Sequence, residues 1–184
     1  FCHSWTLLLL SFLKNKSFDL KTTKISSFIS LEMFILYSNQ IEKILHSHLE
    51  TKQCFRGVFA LDQVPKTFFK FPSCFIVNTH KQNQPGEHWL AVYIDSNMKI
   101  DFFDSFGRPP EEFKLHQYLS SISIQINYNK KQIQSVSSSF CGYYCLFFIL
   151  SKVRGMSMDK FVSMFSENTE KNDDIINSFL EEFI

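Results

Sequence analysis

QSVSSSFCGYYCLFFILSKV, Gln134 to Val153, is the stretch whose reading decides the fold. From Phe140 onward it is apolar nearly all round, long enough for three or more helical turns, and stopped by Gly155. A segment of that kind is a helix buried at the centre of a domain. The part before Phe140 is polar and Ser-rich and reads as loop. Cys141 therefore falls at the first turn, directly before Gly142, where unpaired backbone N–H groups and the helix dipole stabilise a thiolate. Cysteine is also among the most buried residue types, so Cys141 taken alone reads first as small core. Cys145, one turn deeper beside Leu146 and Phe147, fits that core reading better.

Outward from this helix the chain parses into short elements. Asn39 with Glu42 makes a capping-box-like start, and Ile41, Ile44, Leu45 and Leu49 share a face, predicting a helix near 39–52. Cys74 to His80, His88 to Asp95 and Lys99 to Phe106 are rich in β-branched and aromatic residues and are separated by the turn-like KQNQPGE and SNM. These read as three strands, the last two a hairpin. Pro109-Pro110 opens a helix through Leu119, and Ser121 to Tyr128 alternates with period two as a fourth strand. Asp159 to Phe165 and Asp173 to Phe183 close the chain as amphipathic helices, the second capped by Asn172. Residues 1–32 contain the largely apolar run Trp5 to Leu13, far short of the roughly 20 residues that span a bilayer and without the cationic flank of a signal peptide. We read 1–32 as an extension outside the functional protein and 33–184 as one domain.

Composition narrows the function. The chain has 184 residues, 19 Lys+Arg against 18 Asp+Glu, and 22 Phe but only 5 Gly and 5 Pro, which describes a globular protein. A net charge of +1 provides no field to attract nucleic acid or an anionic membrane. Five Cys, an odd number, argue against a disulfide scaffold. A zinc site joining Cys141 and Cys145 to His80 or His88 lacks a CxxC knuckle. Cys54 and Cys74 have no assigned role.

Three further residues bear on Cys141. His88 begins a strand beside Trp89, where an imidazole can serve a thiolate as base. Asp104 ends the next strand, and antiparallel pairing brings the end of one strand near the beginning of the other. A carboxylate there can fix the imidazole tautomer. Gln134, seven residues before Cys141, can offer its amide to a developing oxyanion beside the Cys141 backbone N–H. Taken singly, each of the three is an ordinary surface or turn residue.

Taken together and in this order, EHWLAVYID, IDFFDSFGRPP and QSVSSSFCGYYCLFF resemble the cysteine peptidases of the adenovirus protease (adenain) and ubiquitin-like-protein protease group. The likeness extends to the small proteases of Maverick/Polinton-type virus-like transposons and runs from about Phe55 to about Phe148. It implies an α+β fold: a mixed, mostly antiparallel sheet packed against a buried helix carrying the catalytic cysteine at its N-terminus. It further implies Cys141 as nucleophile, His88 as general base and then acid, Asp104 as orienting acid, Gln134 as oxyanion donor, and Trp89 packing under the histidine and lining the substrate cleft. Asp101 competes with Asp104 but should point to the opposite face. Gln132 competes with Gln134, whose spacing to Cys141 fits the group better, and Asn78 lies nearby with no catalytic role.

The implied activity is that of a thiol endopeptidase needing neither cofactor nor metal. It would act as a monomer, away from membranes, in a reducing intracellular compartment, cytoplasmic or nuclear. Its substrates would be capsid or virion precursors with Gly-containing cleavage sites. The resemblance admits a DNA or peptide activator, which the charge balance does not support. Competing expectations are an isopeptidase for ubiquitin-like modifiers, an acetyltransferase on the same fold, and an inactive binding module.

Overall fold

The computed structural model describes residues 35–67 and 70–183, and the side chains of that stretch up to Phe179. The sequence readings on residues 1–32 lie outside the described residues. The element order is α1 (Ser38–Ser47), α2 (Leu49–Lys52), β1 (Phe55–Ala60), β2 (Ser73–Asn78), β3 (Trp89–Ile94), β4 (Ile100–Phe103), a 3-10 turn (Pro110–Phe113), α3 (His116–Ile122), β5 (Ile126–Tyr128), α4 (Cys141–Val153), α5 (Met158–Ser163) and α6 (Thr169–Phe183).

The strands form one sheet in the order β1-β2-β3-β4-β5. Its centre is antiparallel, with β2 on β3 and β3 on β4, as the hairpin reading expects. Both edges are parallel, so the sheet is mixed in equal parts rather than mostly antiparallel. The connections explain this, because a parallel pair needs a long crossover and a tight turn cannot supply one. Residues 61–72 carry the chain from β1 to β2, and the 3-10 turn with α3 carries it from β4 to β5.

Alternation along the strands gives the sheet two apolar faces. Phe75, Val77, Leu90, Val92, Ile94, Ile100 and Phe102 line one face and pack with Leu115 and Leu119 at α3. On the other face Phe103 stacks on Phe148 of α4 with ring centroids 4.7 Å apart. Twelve of the thirteen residues of α4 are buried, so it is the central helix expected from its sequence. Phe147 and Phe148 meet Phe161 of α5, and Phe147 meets Phe179 of α6, which accounts for part of the phenylalanine excess.

Several boundaries differ from expectation, each for a local reason. The first helix starts on Tyr37, whose N–H donates to Gln40 Oε1 at 2.9 Å, and Glu42 instead accepts from the Val58 N–H. It breaks at His48, which is extended with ψ at 127°, so Leu49 turns outward and is 83% exposed. β1 is an edge strand that alternation misses, because Gly57 at φ +132° interrupts it and a register shift falls between Phe55 and Val58. Ser121 and Ile122 finish α3, which shortens β5 to three residues. The last helix begins before Asn172, and Asn168 Oδ1 accepts from the Lys171 N–H in the capping role expected of Asn172.

Gly107 turns the chain out of β4 with φ at +73°, and a Cβ there would stand 2.7 Å from the Lys131 carbonyl carbon. Gly155, at φ +84°, has open space around it. An alanine in the left-handed region costs about 1–2 kcal/mol through the backbone alone. Gly155→Ala should lose about that much in denaturant titration, and Gly107→Ala clearly more, since main chain cannot rotate away as a side chain can. Equal losses at the two positions would show that the contact with Lys131 is not a constraint.

Candidate active site

The β3–β4 hairpin delivers the first two groups. Its register pairs Ile94 with Ile100 and Ala91 with Phe103, which leaves Asp104 one step beyond the ladder, beside the start of β3. His88 Nε2 and Asp104 Oδ1 are 2.5 Å apart, with His88 7% exposed and Asp104 fully buried. Asp104 is well supplied with donors. Its Oδ2 accepts from Arg108 Nε at 2.9 Å and from the Arg108 N–H at 3.0 Å. Its own N–H donates to Asn129 Oδ1, and its carbonyl accepts from Asn129 Nδ2.

His88 is fixed from the other directions as well. Its carbonyl accepts from the Thr79 N–H, and Asn78 Oδ1 accepts from the N–H groups of His80 and Glu87, closing the turn that leads into it. The rings beside the imidazole are Phe106, at 5.2 Å, and Phe113, at 6.4 Å. The place under the histidine expected for Trp89 is thus taken by these two phenylalanines. Arg108 lies over both of the same rings, so its guanidinium is held by cation–π contact as well as by Asp104.

With Nε2 committed to Asp104, the hydrogen bond between His88 and Cys141 falls to Nδ1. Burial alone would lower the His88 pKa. The hydrogen bonds to Asp104 and Cys141 outweigh it and raise the value to about 9. Burial likewise opposes ionisation of Asp104, and the hydrogen bonds from His88 and Arg108 overcome it and lower its pKa.

Cys141 opens α4 and lines a cleft of about 680 Å³ together with His88, Trp89 and Gln134. Trp89 is 8% exposed; its Nε1 donates to the Leu36 carbonyl at 3.0 Å. A Cβ on Gly142 would meet Leu36 Cβ at 3.0 Å and Trp89 Cδ1 at 3.1 Å. The glycine therefore lets the tryptophan and the segment before α1 close on the helix that carries Cys141.

Gln134 is also buried. Its Oε1 accepts from Ser105 Oγ at 2.6 Å, and its Nε2 donates to the Ser138 carbonyl at 2.8 Å. An amide nitrogen carries two hydrogens, so one N–H remains beyond the bond to Ser138, and Gln134 lines the cleft. The competing residues point elsewhere. Gln132 Nε2 donates to the Gln134 carbonyl, and Asp101 pairs with Lys152 Nζ at 2.6 Å. Cys145, fully buried, donates to the Trp89 carbonyl, and burial pushes its thiol well up. Cys54 and Cys74 lie with their sulfurs 3.6 Å apart at the start of β1 and β2. Among the described residues no group of three or more His, Cys, Asp or Glu could hold a metal ion, and no helix is long and apolar enough to cross a membrane.

His88, Gln134 and Cys141 thus converge on one cleft beside Trp89, with Asp104 buried behind the imidazole. Residues 55–180 match the adenovirus endoprotease family. The chain belongs to that family. A mimivirus protein (Acanthamoeba polyphaga mimivirus) named as a thiol protease is 31% identical over 98 residues, 48% of this chain and 32% of its own length. The protease of Porcine adenovirus A serotype 3 is 33% identical over 96 residues, 44% of this chain and 47% of its own. The chain thus spans between a third and a half of these relatives. The African swine fever virus pS273R protease, in a selenomethionine crystal structure, aligns with a TM-score of 0.48 and 19% identity, covering 77% of this chain and 66% of its own.

Sequence reasoning missed Arg108, Asn129 and Ser105, which hold the acid and the amide. Arg108 had a visible signal, a cation four residues after a candidate buried carboxylate. A pH test follows from the His88 geometry. A folded-state pKa of about 9, above the ordinary 6.5, gives stability that is complete below about pH 6.5 and lost as pH rises through about 9. The excess melting temperature of the wild type over His88→Ala should therefore shrink across that window. An excess that grows with pH would contradict the protonated pair.

Proposed function

We propose that this chain is a cysteine endopeptidase in which Cys141 is the nucleophile, His88 the general base and acid, Asp104 the orienting acid and Gln134 the oxyanion donor. The observation that carries the reading is a buried imidazole set between a carboxylate and the first cysteine of a buried helix, beside a cleft. The Cys141 sulfur attacks the scissile carbonyl carbon as a thiolate, and the carbonyl electron pair moves onto oxygen. The free Gln134 amide hydrogen and the Cys141 N–H receive that oxyanion, since the first N–H groups of a helix have no intrahelical partner. Collapse expels the amine, which takes the proton held by His88. Water, losing a proton to His88, then attacks the thioester and releases the acid and the thiolate. A His88 pKa of about 9 keeps the imidazolium in supply at neutral pH.

Trp89 forms a wall of the cleft, and the family resemblance supports substrates with small residues such as Gly around the cleaved bond. Membership in a family of viral endoproteases supports virion precursor proteins as the substrate class. The domain would span residues 33–184 and act as a monomer with neither metal nor cofactor, in a reducing intracellular compartment.

Turnover of fluorogenic peptides with Gly-Gly or Gly-X bonds, and of a ubiquitin-like precursor, tests these assignments. Cys141→Ala should abolish turnover, and Gln134→Ala should lower kcat about a hundredfold with little change in KM. Turnover that persists in Cys141→Ala would remove the nucleophile. Preference for the ubiquitin-like precursor would replace virion processing with removal of modifiers.

A further inference from the structure

The segment 131–139 carries Gln134 but has no regular secondary structure, so something outside it must fix its path. On one side this is Ser105, whose carbonyl accepts from the N–H groups of Ile133 and Gln134. On the other side it is α6. Asn172, fully buried, donates from Nδ2 to the Ile133 carbonyl at 2.9 Å and to the Ser166 carbonyl at 3.0 Å, and its Oδ1 accepts from the Ser166 N–H. Asp173 Oδ1 lies 2.8 Å from the hydroxyl of Tyr144, which is itself 3.1 Å from the Ile133 carbonyl. Ser135 and Ser138 also act on the Asp173 carboxylate, and the Ser138 hydroxyl donates to the Ser135 carbonyl at 3.2 Å. Ser138 in turn supplies the carbonyl that binds the Gln134 amide.

These contacts make a continuous chain from α6 to the candidate oxyanion donor. None of its members touches the cleft residues His88 or Cys141 in the contacts described above. We propose that Asn172 and Asp173 of α6, with Tyr144 of α4, are positioning residues that hold residues 133–138 in the path that aims the Gln134 amide at the carbonyl oxygen of a substrate on Cys141. The proposal rests on the peptidase reading above and adds the C-terminal helix to the oxyanion site. A buried carboxylate and a buried amide, both turned toward a loop, are costly to maintain for packing alone, because apolar side chains would fill the same space without desolvating polar groups.

Two reactions of Cys141 separate this role from general stability. Peptide hydrolysis passes through an oxyanion. Alkylation by iodoacetamide does not, because the thiolate forms its S–C bond as iodide leaves. In the full chain, Tyr144→Phe and Asp173→Ala should each lower kcat about tenfold or more with KM within about twofold. The rate of alkylation at Cys141, followed by peptide mass spectrometry, should match the wild type. Ile176→Val, a buried α6 change outside the chain of contacts, should loosen packing and leave kcat unchanged. Tyr144→Phe removes one hydroxyl, so it remains informative where Asp173→Ala does not fold. Unchanged kcat in Tyr144→Phe, or alkylation that falls in step with kcat, would overturn the proposal. Failure of the peptidase reading would be seen separately, as wild-type protein that alkylates at Cys141 yet hydrolyses no peptide, and it would overturn this proposal too.

Discussion

A carboxylate with no solvent exposure must be satisfied entirely by protein, and Asp104 is where the structure meets that demand. An unpaired buried charge costs several kcal/mol. Here His88 and Arg108 supply the opposite charge, and the main-chain groups of Asp104 are tied to Asn129. Each partner comes from a different segment: the start of β3, the turn after β4, and the exit of β5. The ion pair therefore fixes where three segments meet, and that meeting point is the floor of the cleft. Phe106 and Phe113 flank the imidazole, and the guanidinium lies over both of the same rings.

The second constraint is burial of α4. A helix that is apolar on every side is stable only when other elements cover it all round, and β3, β4, α5 and α6 do so here. Within it the sulfur of Cys145 reaches the Trp89 carbonyl, which links the interior of the helix to the start of β3, next to His88. Cys141 and His88 thus belong to elements joined below the cleft. The separation of the two cysteines by one turn puts Cys141 at the helix end that lines the cleft and Cys145 in the sealed interior, where burial pushes its thiol up.

Features with a strong local cause were legible in the sequence. The all-apolar run made α4 plain, the hairpin followed from two β-rich runs around SNM, and the pairing of His88 with Asp104 followed from hairpin direction. What stayed hidden depends on contacts between distant segments. β1 is interrupted by Gly57, so alternation fails in it, and it is held by a parallel partner almost twenty residues away. The break at His48 leaves the periodicity of Ile41 and Leu45 intact and moves only Leu49, a change no helical wheel records. Asn172 has the composition of a cap and the position of a buried clamp. The catalytic candidates were found because their residue types are rare in combination. Their supports, Ser105 and Asn129, are common turn residues and carry no such signal.

Asp101 within β4 and Asp104 directly after it show how the sheet separates chemistry from anchoring. Asp101 and Asp104 are three residues apart, so a strand turns them to opposite sides, and each meets a different cation. Asp101 binds Lys152 in the last turn of α4, where a cation is also favoured by the helix dipole, and the ammonium lies over the Tyr93 ring. Asp104 binds the imidazole that contacts Cys141 in the first turn of the same helix. β4 and the residue that follows it therefore grip α4 at both ends, through the Asp101–Lys152 ion pair at its C-terminus and through Asp104 and His88 at its N-terminus. Sliding of the helix along its axis would break both contacts at once. The axial position of Cys141 is thus set by charge pairing, which has a defined distance, and the aromatic packing between the ends supplies adhesion without having to supply register.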